Sequence, residues 1–309
     1  MSKIAFVFPG QGSQQVGMGK DLYSNSNLAV ELYNKANEIS GLDISEISFD
    51  GPADILKETQ YTQPALFVHS YVLTRLIGDK VKADYAAGHS LGEYTAYAYG
   101  EAFDFETGMK LVTRRGELMK GAGDIQKGTM AALIGMTYEQ IYQICQLAED
   151  ATGGQFCDAA NFNCPGQIII SGAVESVHKA MEIAKGDPFN CRIVKELPVS
   201  GAFHSRLMVP IADELRLTIE EADINASKVP VFTNVEAEPV TEKMLIDQFL
   251  YRQLFSPVKW EDTIRNMKNV GVTKYYEIGA GKVLTGLIKK IDPEAELFNI
   301  STYEDVMSL

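Results

Sequence analysis

Along most of the chain, short apolar runs alternate with amphipathic stretches. Ile4-Ala5-Phe6-Val7-Phe8 is a continuous apolar run of the kind a strand buried on both faces requires, and Pro9-Gly10-Gln11-Gly12 stops it. Apolar positions at helical spacing predict helices over 28–39, 64–77 and 105–120. Between the last two, a short apolar stretch at 85–87 predicts a strand and 93–99 a helix. Strand and helix alternating at this spacing imply an α/β arrangement with parallel strands.

The rhythm changes near Gly128. Residues 130–134 predict a strand, and 137–147 a helix opened by Thr137 with Gln140 at capping-box spacing. Strands at 157–161 and 167–172 flank Phe162-Asn163-Cys164-Pro165-Gly166, a turn by composition; a helix over 174–184 and a strand over 191–197 follow. The order β-α-β-β-α-β is that of a ferredoxin-like unit. After Pro198 the α/β pattern resumes, with helices at 208–221, 242–254 and 282–291 and strands at 231–234 and 274–278. The expected fold is α/β: a large α/β-hydrolase-like domain with a parallel-rich sheet, in two pieces (1–127 and 199–309), and an inserted ferredoxin-like small domain (128–198). A cleft between two such domains is a usual place for a small-molecule site.

With 309 residues, 46% of them apolar, the chain can bury a large core. A net charge of −13 argues against wholesale binding to nucleic acid or an anionic membrane surface. The opening apolar run is too short for a signal-peptide core, and no run approaches the roughly 18 residues of a membrane span. The four cysteines (Cys145, Cys157, Cys164, Cys191) lack C-x-x-C spacing and read as reduced, mostly buried thiols of a cytoplasmic protein.

Gly88-His89-Ser90-Leu91-Gly92 fits G-x-S-x-G between the predicted strand and helix. In that context a serine hydroxyl stands on a strained turn at the end of a sheet, and the N–H of Leu91 points where an oxyanion would form. The competing reading is a structural turn. A nucleophilic serine needs a base, and four histidines are available. His69 lies on an apolar helix and reads as core, and His178 lies on the polar side of a small-domain helix. His89 adjoins the serine, but neighbours in a tight elbow point apart, which makes it a site-lining group. His204 stands out as the candidate base. It sits in the turn-rich Pro198-Val199-Ser200-Gly201-Ala202-Phe203-His204-Ser205 that returns the chain to the large domain. No carboxylate is placed to complete a triad. A Ser–His dyad, its imidazole oriented by a backbone carbonyl or an amide, is therefore the reading to weigh.

Pro9-Gly10-Gln11-Gly12-Ser13-Gln14 lacks the third glycine of a dinucleotide fingerprint, and Gly281-Lys282 lacks the rest of a P-loop, so a nucleotide-dependent reaction finds little support. Gln11 does offer a backbone N–H that could join that of Leu91 in a two-donor oxyanion hole; the alternative is an ordinary tight turn. Arg114 and Arg115 share a predicted helix about 100° apart, so at most one faces a given pocket. A buried guanidinium there would hold a carboxylate through two parallel charge-assisted hydrogen bonds, although taken alone both arginines read as surface residues.

Several motifs in order resemble one family, the malonyl-CoA:acyl carrier protein transacylases of fatty acid synthesis. They are Phe8-Pro9-Gly10-Gln11-Gly12-Ser13-Gln14, Gln63-Pro64-Ala65, Gly88-His89-Ser90-Leu91-Gly92-Glu93-Tyr94 and Arg115-Gly116. Asn161-Phe162-Asn163-Cys164-Pro165-Gly166-Gln167, Phe203-His204-Ser205, Arg252-Gln253-Leu254 and Gly281-Lys282-Val283-Leu284 continue the match over nearly the whole chain. The resemblance implies a ping-pong acyl transfer through a malonyl ester on Ser90, with His204 as base, oriented by the backbone carbonyl of Gln253. It implies an oxyanion hole from the Gln11 and Leu91 N–H groups, Arg115 on the malonate carboxylate, and His89 and Asn161 beside the substrate. No metal or bound cofactor is implied, CoA entering as the substrate thioester.

The partners implied are malonyl-CoA and a holo acyl carrier protein, with neither nucleic acid nor membrane. Gly201-Ala202-Phe203 resembles the form associated with malonyl rather than methylmalonyl units. Carrier proteins are acidic, as is this chain, so docking needs a local basic patch, for which Lys282, Lys289 and Lys290 are the candidates. The rival readings are a free-standing acyltransferase loading a polyketide synthase carrier, a serine thioesterase or other hydrolase, and a non-catalytic accessory protein. The lack of a long flanking domain argues against an excised megasynthase module.

Overall fold

The computed structural model describes residues 2–199 and 201–309; Ser200, in the expected turn-rich return, lies outside the described residues. The first apolar run forms β1 (Lys3–Phe8). The chain next reaches β2 (Tyr85–Gly88) and then lays down β3 (Gly128–Ile134), β4 (Cys157–Cys164), β5 (Gln167–Ala173) and β6 (Ile193–Glu196) in one stretch. It returns through β7 (Val231–Phe232), β8 (Pro239–Val240), β9 (Val272–Ile278) and β10 (Glu296–Ile300).

These strands make a six-stranded sheet, ordered β10-β9-β1-β2-β7-β8, and a four-stranded sheet, ordered β4-β5-β3-β6. The larger sheet is parallel except for β7–β8. The smaller one is antiparallel throughout. The chain is thus mixed α/β with a parallel-rich sheet, as expected. β1 is paired on both sides, and its alternate residues feed two cores: Phe6 and Phe8 one, Ala5 and Val7 the other. That is why the run is apolar at every position rather than at every second one.

The antiparallel sheet is also covered on both faces. Ala131, Leu133, Ile168 and Ile170 share a core with Ile141 and Ile144 of helix Tyr138–Ala151 and Val177 and Ala180 of helix Val174–Lys185. Met130 and Ile169, on the opposite pleat, belong to the main core. The edge strand β4 is covered as well: Phe162 N–H donates to the Val258 carbonyl at 2.9 Å and Val258 N–H to the Ala160 carbonyl at 2.8 Å.

Several elements differ from expectation. Helix Thr59–Ile77 begins more than a turn before Pro64, which lies inside it. Burial of Gln63 and its bonds to Arg115 and Met119 override the local bias of a pre-proline residue against helix. β4 runs on through Cys164, because Phe162 and Cys164 pair with Ile168 and Gln167, leaving Pro165-Gly166 alone to turn. β7 stops at Phe232 instead of 234, and the released chain carries Asn234 to the serine. Helix Trp260–Asn269 and β10 were not foreseen: the helix hides a narrow stripe (Trp260, Ile264, Met267) among charges, and β10 is a half-exposed edge strand.

Candidate active site

β1 and β2 run side by side, and the residues just past their carboxyl ends form the floor of the site, where open α/β sheets ordinarily bind ligands. Ser90 follows β2 and opens helix Leu91–Tyr99 at φ 51° and ψ −107°. Such a conformation costs a non-glycine residue of order 1–3 kcal/mol and persists only where its surroundings impose it. Here Ser90 N–H donates to Asn234 Oδ1 at 2.7 Å, while Asn234 Nδ2 donates to the Gly88 carbonyl at 2.6 Å.

The loop after β1 abuts this elbow. A Cβ on Gly10 would lie 2.3 Å from the His89 carbonyl oxygen, and one on Gly92 2.0 Å from that of Phe8, so only glycine permits the approach. Leu91 is the first residue of its helix, so its N–H has no intrahelical acceptor. Gln11 N–H donates to no backbone acceptor among the described residues, and Gln11 Nε2 is anchored on Thr59 Oγ1 at 3.1 Å.

His204, also at positive φ (58°), brings Nε2 to 2.8 Å from Ser90 Oγ and Nδ1 to 2.9 Å from the Gln253 carbonyl oxygen. A carbonyl only accepts, so Nδ1 carries the proton and Nε2 is free to accept from the serine hydroxyl. Burial and the neighbouring Arg115 guanidinium push His204 down to about 3, so the ring is neutral at pH 7.

Helix Phe105–Ile125 turns Arg115 inward and Arg114 outward. Arg114 is exposed and pairs with Glu117 and Glu214. Arg115 is 1% exposed. Its Nη1 donates to Gln63 Oε1 at 2.8 Å, and its Nη2 to Gln253 Oε1 at 2.9 Å and to Ser90 Oγ at 3.1 Å. Its Nε is buried with no partner among the described residues, and the guanidinium carbon lies 5.4 Å from the centre of the Tyr94 ring. A buried, incompletely paired guanidinium touching the serine oxygen is suited to an anionic group on whatever the serine holds.

The remaining candidates are dispersed. His89 gives Nε2 to Asn163 Oδ1 at 2.8 Å and packs its ring 5.7 Å from that of Trp260. Asn161 is buried in β4, and its side chain makes no hydrogen bond among the described residues; Asn163, two positions on, is the one that meets the elbow. His69 is fully buried, pushed down to about 4 by that burial, with neither ring nitrogen partnered. His178 is exposed, 3.0 Å from Glu196. Lys282 caps the start of helix Val283–Ile291 while Lys289 and Lys290 occupy its last turn, roughly 10 Å away at 1.5 Å per residue. All three are exposed, and Lys282 and Lys289, seven residues apart, fall on one side of the helix. Beside the dyad, a cavity of about 250 Å³ is lined by His204, Arg206, Phe255 and Pro257 and, from helix Tyr138–Ala151 and β4, by Tyr142 and Cys157. Among the described residues no group of three or more His, Cys, Asp or Glu could hold a metal ion.

The family model for the acyl transferase domain matches residues 5–295. The chain belongs to the acyl transferase domain family. The malonyl CoA-acyl carrier protein transacylase of Bacillus subtilis (strain 168) is 42% identical over 307 residues, covering 99% of this chain and 96% of that one. The solved transacylase of the same name from Coxiella burnetii has a TM-score of 0.94 at 36% identity, covering 99% of this chain and 96% of its own. A malonyl-transacylase in complex with a holo type II PKS acyl-carrier protein has a TM-score of 0.93 at 34% identity, covering 99% and 98%.

In this acyltransferase, reading the sequence missed three contributors to the site. Asn234 holds the elbow, the Gln253 side chain binds Arg115, and Glu93 binds Gln253. Glu93 lies three residues after Ser90 on the elbow helix, which was a usable signal. Nothing local marks Asn234, which lies 144 residues from Ser90.

Proposed function

We propose that this protein transfers a malonyl group from malonyl-CoA to the phosphopantetheine thiol of holo acyl carrier protein, for fatty acid synthesis, through a malonyl ester on Ser90. The observation that carries this is the buried Arg115 guanidinium 3.1 Å from the oxygen that would hold the acyl group. In the first half-reaction His204 Nε2 takes the Ser90 proton as Oγ attacks the thioester carbonyl, and the Gln253 carbonyl steadies the imidazolium. The Gln11 and Leu91 N–H groups hold the oxyanion. Collapse expels the CoA thiolate, which takes the proton from His204. In the second half-reaction His204 deprotonates the pantetheine thiol, the thiolate attacks the ester, and Ser90 recovers its proton.

Arg115 holds the malonate carboxylate, with Nε and Nη2 as donors. The carboxylate also offsets the positive charge that depresses His204, so the substrate strengthens its own base. We assign His89, fixed by Asn163, and Asn161 to the substrate pocket wall. We read the chain as an α/β-hydrolase-like domain (1–127 and 199–309) with a ferredoxin-like insert (128–198); the strand order β4-β5-β3-β6 with its two helices supports the latter. The cavity beside His204 is where the pantetheine arm would lie. No cofactor beyond substrate CoA is needed for these steps. Four free thiols, and no helix among the described residues long and apolar enough to cross a membrane, support a cytoplasmic site of action.

A second reading keeps the chemistry and changes the carrier to that of a polyketide synthase; the likeness to the malonyl-transacylase in complex with a type II PKS carrier favours it. Intact-mass measurement after brief mixing with malonyl-CoA, before and after adding each holo carrier, tests both. A malonyl adduct on wild type, absent in Ser90→Ala and discharged onto the fatty acid carrier, is expected. Discharge onto the polyketide carrier alone selects the second reading. An adduct lost at once as free malonate means a hydrolase.

A further inference from the structure

Gln253 has more to do than present its carbonyl to His204. Its side chain is fully buried between two charged groups: Oε1 accepts from Arg115 Nη2 at 2.9 Å, and Nε2 donates to Glu93 Oε2 at 2.7 Å and to the Ser90 carbonyl at 3.0 Å. An amide between a guanidinium and a carboxylate has one admissible orientation, oxygen to the cation and NH₂ to the anion. Glu93 is itself fully buried, and its Oε2 also accepts from Asn234 N–H at 3.0 Å. Asn234 in turn binds Ser90 N–H and the Gly88 carbonyl. One carboxylate therefore stands behind the elbow, the amide and, through the amide, both the base and the acid-binding arginine.

We propose that Glu93 is a positioning residue for malonyl transfer: its carboxylate fixes the Gln253 amide, and through that one residue aligns His204 for the nucleophile and Arg115 for the substrate carboxylate. The inference rests on the malonyl reading above. With a neutral group at position 93, the Gln253 NH₂ keeps the Ser90 carbonyl but loses its charge-assisted acceptor. The amide, and the guanidinium bonded to its Oε1, are then held less tightly in line with the serine. Where ionised, Glu93 also places a negative charge near the Arg115 guanidinium. Burial raises Glu93 to about 7 despite the bonds from Gln253 and Asn234 and the charge of Arg115, so near neutral pH it is poised between its two forms, with Oε2 accepting in both. A residue serving packing alone has no reason to be an acid at this position.

The test uses the full-length protein as wild type, Glu93→Gln and Glu93→Asp. Malonyl and acetyl transfer from their CoA thioesters to a holo carrier are measured, with Tm alongside. Glu93→Gln is expected to lose about 10- to 100-fold in malonyl kcat/KM. Its malonyl-to-acetyl preference is expected to fall by at least about threefold, mainly through malonyl KM, because Arg115 is misaligned. Glu93→Asp, which restores the charge on a shorter arm, is expected to fall between the two. Malonyl kcat/KM within twofold of wild type in Glu93→Gln overturns the proposal. Equal losses for both acyl groups with a lowered Tm overturn it too, because they mark a packing role. If Glu93→Gln does not fold, Glu93→Asp decides: reduced turnover with an unchanged acyl preference overturns it. A wild type that forms no malonyl adduct would instead remove the reading on which the proposal rests.

Discussion

Arg115 Nη2 and Ser90 Oγ lie 3.1 Å apart inside the protein, so the group that would read the far end of the acyl chain touches the atom that would carry its near end. A three-carbon diacid spans that separation only by folding its carboxylate back onto the guanidinium, where Nε still has a free N–H. Charge-assisted hydrogen bonds of this kind are worth roughly 1.5–3 kcal/mol, or about one to two decades of preference for malonyl over acetyl. Arg115→Ala is expected to cut malonyl transfer by that margin and relax selectivity towards acetyl. Arg115→Lys should also lose selectivity, since a point charge cannot reproduce the fork. Steady-state kinetics with the two thioesters measure this, and an unchanged malonyl-to-acetyl ratio refutes the role.

The same arginine controls the base. Burial first and Arg115 second depress His204 from 6.5 to about 3. His204 must be neutral to accept the serine proton, so wild-type Ser90 should stay reactive well below pH 6. Removing the positive neighbour raises the histidine, so in Arg115→Ala the acid limb moves to higher pH, stopping short of 6.5 because burial remains. The pH dependence of Ser90 inactivation by a neutral sulfonyl fluoride isolates the effect from substrate charge. A limb that stays put or moves to lower pH contradicts it.

Gly10→Ala probes the oxyanion site without touching a catalytic side chain. The new Cβ would lie 2.3 Å from the His89 carbonyl oxygen, which is backbone, so the loop bearing Gln11 must retreat from the elbow. Loss of one oxyanion donor costs about 10²–10³ in kcat, and that is the expected range. Gly121→Ala, in a helix with nothing within 4 Å of the added methyl, serves as the comparison. It should be stabilising by roughly 0.5–1 kcal/mol with wild-type activity. Equal kcat values for the two variants would remove Gln11 from the mechanism.

Lys289 and Lys290 are adjacent exposed cations in the last turn of helix Val283–Ile291, with Lys282 exposed at its start. Lys290 Nζ reaches Gln167 Oε1 at 3.4 Å, at the start of β5, so the pair adjoins the antiparallel sheet. In a protein of net charge −13, a local positive site is what an acidic carrier needs. Replacing both lysines by Glu is expected to raise KM for the carrier, more strongly at low salt, and to spare KM for malonyl-CoA. Equal effects on both substrates would show that the carrier docks elsewhere.

The chemistry of this site was legible in the sequence wherever it depended on a few neighbouring residues. A strand, a G-x-S-x-G turn and a helix are one local unit, so the strained serine and the Leu91 N–H follow from ten residues or so of chain. The missing triad acid was visible too, since the carboxylate expected in a hydrolase had no candidate and the structure puts a carbonyl on His204 instead. Helical phase restricted Arg114 and Arg115 to one inward-facing residue. It did not say which, because the choice depends on what covers the helix.

Only the tertiary structure decided the rest. It set what Arg115 meets inside, paired Arg114 with Glu214 outside, and gave His89 to Asn163. It also built the support behind the dyad from residues with no shared local pattern: Gln63, Asn234 and Gln253 lie on separate elements and converge on Arg115 and the elbow. Periodicity reports which face of an element is apolar, and a motif reports the backbone of its own turn. Hydrogen bonds between groups more than a hundred residues apart are set by how whole elements pack, and a buried polar side chain interrupts the apolar pattern without naming its partner.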